Sequence, residues 1–381
     1  MSRISDLTDL MAEHRHQELQ LGSQLFISLR GQTIASFADG EARPGEILTV
    51  SHMMRWYQAA MPLLTVEVGR LLERGKLNLD DPVGRHLPEW SLEAGGKNEV
   101  TIRHLLTHMG GFAGAELADR DISDEDAISL ITAYRAEYRP GTRAGFHPSS
   151  GWRILGAVVE TVERGRLDRI LHRQVLRPLR MRETMLHLGD ERARRREVNL
   201  SPVHWSGYTV PSTDAEGEPI EVPHHRDVIH NTAWHQSRFE PAMSVIGPAS
   251  DLALFYDSLA ADPGSLFRSS LTLDLLTSAH RVGVRDRTFN GAQVPWGLGF
   301  QVAGSFGGSM GHRTFGHGGL TGRAIHDPVE RLTMVYLTNG LANQIDHERR
   351  MTEMTEAVYD VVVPRSSGAS VTTTMPAVGA R

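Results

Sequence analysis

The stretch Trp56-Tyr57-Gln58-Ala59-Ala60-Met61-Pro62, running on through Leu63 to Gly75, constrains the fold more than any other part of this sequence. Apolar residues recur at Leu64, Val68, Leu71 and Leu72, a helical spacing. Pro62 suits a first helical turn, where its missing N–H costs nothing. Gly75 supplies a left-handed stop. The segment after it, GKLNLDDPVGRHLPEW (75–90), is a turn-rich exit. The stretch reads as the entrance to a buried helix, around which the rest of the chain is arranged.

A chain of 381 residues allows one large domain or two interlocked ones. No apolar run approaches the roughly 18 residues of a membrane span. The N-terminus, MSRISDLTDLMAEHRHQ, is polar and amphipathic without an apolar signal core, so a cytoplasmic protein with no membrane partner is expected. The absence of cysteine excludes disulfides, thiolate zinc sites and a cysteine nucleophile. A net charge of -6 argues against a nucleic-acid partner.

Helices are predicted over 4–19, 62–74, 101–112, 124–134, 152–164, 247–260 and 342–362. Strands are predicted over 24–30 and 32–38, a hairpin around Gly31, and over 296–302, 322–328 and 331–339. Residues 139–152 read as a turn-rich loop. Residues 190–240 are polar, irregular and rich in Gly, Pro and His, and a long loop of that kind is usually functional or mobile. The tail from Pro364 has a disordered composition. Strands at both chain ends with helices between them imply an α+β fold. Its antiparallel sheet domain is built from 1–80 and 245–363, a mainly helical region spans 81–244, and 364–381 form the tail.

Five strings stand in an order that resembles the β-lactamase-like serine hydrolase family of class C β-lactamases, D-alanyl-D-alanine peptidases and related esterases. They are LNLDDPV (77–83), TIRHLLTH (101–108), GPASDLALFY (247–256), WGLGF (296–300) and FGHGGLTG (315–322). The resemblance implies an α/β sandwich plus an all-helical part with the active site between them. It also implies four functional elements: a helix-entrance serine, a lysine one turn on, a tyrosine on a loop of the second part, and a strand-edge Lys/His-x-Gly motif. Counting back from Gly75 without a gap puts Gln58 at the serine position and Met61 at the lysine position. Neither can do that chemistry, because a carboxamide does not attack acyl groups and a thioether does not take a proton. The tyrosine falls on Phe146, in Phe146-His147-Pro148, without its hydroxyl. His317-Gly318-Gly319 keeps the fourth element, with glycines that let the strand backbone approach a ligand closely.

On this mapping the expected catalytic groups are His317, Gln58 and His147, the imidazoles as acid or base. The expected substrate contacts are Tyr57, Met61, Phe146, Ser149, Gly318, Gly319, Trp205 and Tyr208. His147 reads equally well as a loop histidine bonded to backbone. Trp205, Tyr208 and Trp234 read equally well as packing. The cluster His224, His225, His230 and His235 matches no zinc spacing, so neither metal nor cofactor is expected.

Three functions fit the sequence. The first is a non-hydrolytic enzyme acting on a small, natural-product-like substrate by cyclisation, isomerisation, elimination or rearrangement. The second is a serine hydrolase or acyltransferase with a displaced nucleophile, Ser51, Ser149 or Ser150. The third is a catalytically silent ligand-binding protein. Oligomeric state is not legible.

Overall fold

The computed structural model describes residues 3–92, 96–117, 120–189, 199–206, 212–213, 219–220, 228–261, 263–306 and 310–363. Tyr208, His224, His225, the tail from 364 and much of 190–240 lie outside the described residues.

Seven strands form the main sheet: β1 (Gly22–Leu29), β2 (Gln32–Arg43), β3 (Glu46–Ile47), β4 (Gln301–Val302), β5 (Phe315–Gly319), β6 (Gly322–Asp327) and β7 (Leu332–Thr338). Their order is β4-β5-β6-β7-β1-β2-β3, antiparallel throughout. The two ends of the chain meet at β1 and β7, where Leu25 stands opposite Tyr336.

The helices used below are α1 (Ile4–His16), α2 (Met61–Glu73), α3 (Asp124–Ala133), α4 (Pro148–Glu163), α5 (Ala249–Ala261), α6 (Ser270–Thr277) and α7 (Gln344–Val362). Strand alternation gives the sheet two apolar faces. On one, Leu25, Ile27, Met334 and Tyr336 pack with Leu7 and Met11 of α1 and Met351, Met354 and Val358 of α7. On the other, Phe315, Ala324, Val335 and Leu337 join a core that includes α2, α4 and α5. The sheet and the helical region thus share one core.

Helix α2 runs through that core. Leu64, Val68 and Leu71 are buried, and only Leu72 of the predicted stripe is partly exposed. Pro62 lies in the first turn. At the far end Gly75 takes φ 63°, with its N–H on Leu72 O and the Lys76 N–H on Leu71 O. These bonds satisfy carbonyls that the helix end would leave bare.

Several segments differ from the sequence reading. The helix predicted over 101–112 spans only Ile102–Leu106, β2 runs on to Arg43, Phe315–Gly319 is itself a strand, and two further segments take other forms. WGLGF is largely a turn, and only Gln301–Val302 are strand. Gly299 takes φ 70° there, and a Cβ on it would stand 2.1 Å from Thr65 Oγ1 of α2, so the segment turns in order to pack on that helix. Helix α4 starts at Pro148 rather than 152, because Pro148 occupies its first turn and Glu116 accepts from the Ser149 and Ser150 N–H groups. The Pro-Ser-Ser-Gly run reads as a turn until that distant carboxylate is known. No helix among the described residues is long and apolar enough to cross a membrane.

Candidate active site

The entrance to α2 is a 3-10 turn, Tyr57–Ala60, with no side-chain cap. Tyr57 begins it at φ 49°, a conformation that is an outlier for a bulky residue and persists only where the surroundings fix it. Here its hydroxyl meets His230 Nδ1 at 3.0 Å and its ring lies under the Arg55 guanidinium. The strained turn carries Gln58 toward the end of β5.

Gln58 is 6% exposed and spans the gap between two walls. Its Oε1 accepts the Leu320 N–H at 3.1 Å, and its Nε2 donates to Met243 Sδ at 3.3 Å. The amide orientation follows from chemistry, since a backbone N–H only donates. Leu320 and Thr321 form the two-residue turn between β5 and β6. Thr321 fixes that turn by donating its hydroxyl to Arg55 O and accepting from Thr338 N.

Met61 is fully buried in the main core, and its carbonyl accepts from Trp152 Nε1 at 3.0 Å. Gly319 lets β5 pack closely on the 3-10 turn. A Cβ there would stand 2.7 Å from Trp56 O and 3.1 Å from Gln58 N, so β5 lies directly on the 3-10 turn. Gly318 donates its N–H to Gln301 Oε1.

His317 is on the same face of β5 as Gly319, two residues away. It belongs to a buried cluster of rings. Phe146 lies 6.3 Å from it, Trp296 5.6 Å, and His108 touches both Phe146 and Trp296. His317 Nδ1 donates to the Gly318 carbonyl at 2.5 Å, which leaves Nε2 as the acceptor nitrogen, buried without a hydrogen-bond partner. Burial pushes its pKa down to about 4, against the smaller opposing effect of that carbonyl. At neutral pH it is an uncharged imidazole whose one N–H is held by the Gly318 carbonyl.

His147 lies deeper. Its Nδ1 is 3.1 Å from His108 Nδ1, its Nε2 has no hydrogen-bond partner, and burial holds its pKa at about 3. It faces another imidazole and also has a hydrogen bond with the Gly145 backbone, in keeping with the reading of a loop histidine bonded to backbone.

The candidate serines fall into two kinds. Ser149 Oγ donates to Glu240 Oε1, and Ser150 Oγ donates to Glu116 Oε1 at 2.7 Å, both buried. Arg153 pairs with Glu240. Ser51 is exposed and joins a relay. Its Oγ is 2.9 Å from Thr49 Oγ1, which is 2.8 Å from His52 Nδ1, while His52 Nε2 is 3.1 Å from Glu46 Oε1. The Thr49 N–H also points at His52 Nδ1, so that nitrogen accepts and Nε2 donates to the carboxylate.

Trp205 stands apart from these groups, in a short strand beside Leu341 with its ring against the main core. His230 and His235 stack edge-on, and among the described residues no group of three His, Cys, Asp or Glu could hold a metal. A cavity of about 1340 Å³ opens elsewhere, bordered by Leu254 and Asp257 of α5, Leu273 of α6, Phe315 and His326. Two of its polar lining groups are already bonded, Asp257 by Ser28 and Thr333 and His326 by Thr333. The assignment to the α2 entrance therefore rests on chemistry rather than on open volume. Leu320, Met243, Trp296 and His108 were not singled out from sequence. Leu320, Trp296 and His108 lie inside quoted strings, but nothing there marks a turn N–H or a buried ring as a site.

A model of the Beta-lactamase family matches residues 7–358. Esterase EstB of Burkholderia gladioli is 28% identical over 74% of this chain and 75% of its own length. An Escherichia coli (strain K12) protein provisionally named a D-alanyl-D-alanine carboxypeptidase is 25% identical over 71% of this chain. The match spans 64% of that protein's length. Among solved structures, EstCE1, described as a hydrolase with promiscuous acyltransferase activity, superposes with a TM-score of 0.75 at 21% identity, covering 93% of this chain and 98% of its own, a likeness of fold.

Proposed function

The chain belongs to the beta-lactamase family, and from that premise we propose that it recognises the acyl portion of an ester or amide at the α2 entrance without forming an acyl-enzyme there. The single observation that carries this reading is Gln58. It supplies a carboxamide where acyl transfer needs a hydroxyl, and that carboxamide rests on the Leu320 N–H. Met61, fully buried one turn on, offers no base. Phe146 brings a ring without a hydroxyl to the imidazole cluster. The names of the relatives, an esterase and a peptidase, support an acyl compound as the ligand class. They favour acyl chemistry over the cyclisation or rearrangement reading.

The test is binding. Short esters and N-acylated dipeptides should raise the melting temperature, and amines and alcohols of equal size should not. If no acyl compound binds, the reading falls.

A second reading, a serine hydrolase or acyltransferase with a displaced nucleophile, has one observation in its favour. The Ser51–Thr49–His52–Glu46 relay places exposed hydroxyls against an imidazole oriented by a carboxylate. Peptide mapping after treatment with a fluorophosphonate separates the two, because this reading requires the label on Ser51 or Thr49.

A further inference from the structure

We propose that Gln58 is a built-in competitor. Its side-chain carbonyl occupies the donor that a ligand's carbonyl or carboxylate oxygen must take, so the ligand binds by displacing it. The inference rests on the acyl-recognition reading and adds the residue that sets affinity.

The Leu320 N–H is the donor. In a two-residue hairpin turn this N–H lies outside the strand ladder, which closes at the Gly319–Gly322 pair. Leu320 as a residue is 43% exposed, whereas Gln58, which meets its N–H, is 6% exposed. The turn is held by Thr321, whose side chain and carbonyl are both bonded and which is fully buried. A fixed donor of this kind recognises a carbonyl oxygen without reorganising.

Gln58 meets that donor with an amide oxygen, the same chemical group that an ester, amide or carboxylate would present. Its other end is held weakly. The Nε2 donates to a thioether, a poor acceptor, at 3.3 Å. Displacement therefore exchanges one carbonyl for another at Leu320 and gives up one weak contact at Met243. The exchange favours compounds that carry a second acceptor for the Gln58 NH2 group once it has moved. A net hydrogen bond of the usual strength corresponds to about two- to tenfold in affinity.

The experiment uses the full chain labelled with 15N and follows the Leu320 amide. The probes are N-methylacetamide and acetate, with ethanol and ethylamine as carbonyl-free controls. Gln58→Ala removes the competitor, and Gln58→Met, similar in length, guards against collapse of the site. In both variants the Leu320 amide proton should move upfield and exchange faster before any probe is added. N-Methylacetamide should then perturb Leu320 with an affinity about two- to tenfold tighter than in the wild type. An unchanged Leu320 resonance in both variants overturns the inference. So does a shifted resonance with no gain in probe affinity, while the acyl-recognition reading stands if larger esters still bind the wild type. If neither probe nor any larger acyl compound binds wild type or variants, that reading falls with it.

Discussion

Two helix entrances lie side by side in this core, and they are finished in opposite ways. Helix α4 begins at Pro148 under carboxylates. Glu116 takes the Ser149 and Ser150 N–H groups and the Ser150 hydroxyl, while Glu240 takes the Ser149 hydroxyl and Arg153. Helix α2 begins without a side-chain cap, among Ala59, Ala60 and Met61, and its one polar side chain turns away to Leu320. The contrast teaches where a ligand fits. The protein's own carboxyl groups already fill the start of α4, whereas the start of α2 is covered by β5 and by the neutral amide of Gln58, proposed above to be displaceable.

The largest effect should come from putting a charge into the apolar entrance. The double variant Gln58→Ser, Met61→Lys places an ammonium at a position with no exposure, beside no acid that the structure pairs with Met61. A buried lysine responds by losing its charge or by destabilising the fold, by about 3–5 kcal/mol for an unpaired charge. Denaturant unfolding should show that loss. Nitrophenyl ester turnover should stay low, because Phe146 still lacks a hydroxyl. Robust turnover would show that Phe146 is dispensable.

Breaking the other entrance should cost nearly as much. Glu240→Ala strips Arg153 of its buried partner, though Asp124 remains on its outer side, and about 2–4 kcal/mol is expected. Glu116→Ala, which uncaps α4, should cost about 1–2 kcal/mol. At α2, Gln58→Ala should change unfolding free energy by about 1 kcal/mol or less, since it removes one neutral hydrogen bond to the Leu320 N–H and one weak contact with the Met243 sulfur. Equal losses at Gln58 and Glu116 would erase the contrast.

Titration sharpens it further. Burial pushes Glu67, in the middle of α2, and Glu116, at α4, up to about 7. A carboxyl whose folded pKa is raised binds its proton more tightly in the folded chain. Its stabilisation is whole below the unfolded value of about 4.5 and is lost as pH rises through about 7. Urea unfolding should therefore show falling stability from pH 5 to pH 8, and Glu67→Gln should flatten the slope. A slope of the opposite sign would mean that the Arg70 contact outweighs burial at Glu67.

The sheet and α2 were legible from sequence because alternation and the 3.6-residue stripe are local signals, and both chain ends carry them. The early start of α4 was not legible. It depends on Glu116, more than thirty residues away, and Pro-Ser-Ser-Gly alone favours a turn. WGLGF read as strand from its apolar residues, while contact with Thr65 of α2 decides otherwise. At the site, the chemistry of Gln58 and Met61 could be read from residue type alone. The partner of Gln58 could not, since a backbone N–H carries no side-chain signature. Burial of His317 was equally invisible, because it arises from Trp296 and Phe146 on distant segments.

Intact mass of the wild-type protein after incubation with a fluorophosphonate and, separately, with benzylpenicillin tests the central claim most directly. With a carboxamide at position 58 and a thioether at 61, both masses should equal that of the untreated chain. A stoichiometric adduct on any residue would contradict the account, and one on Ser51 or Thr49 would put the displaced-nucleophile reading in its place.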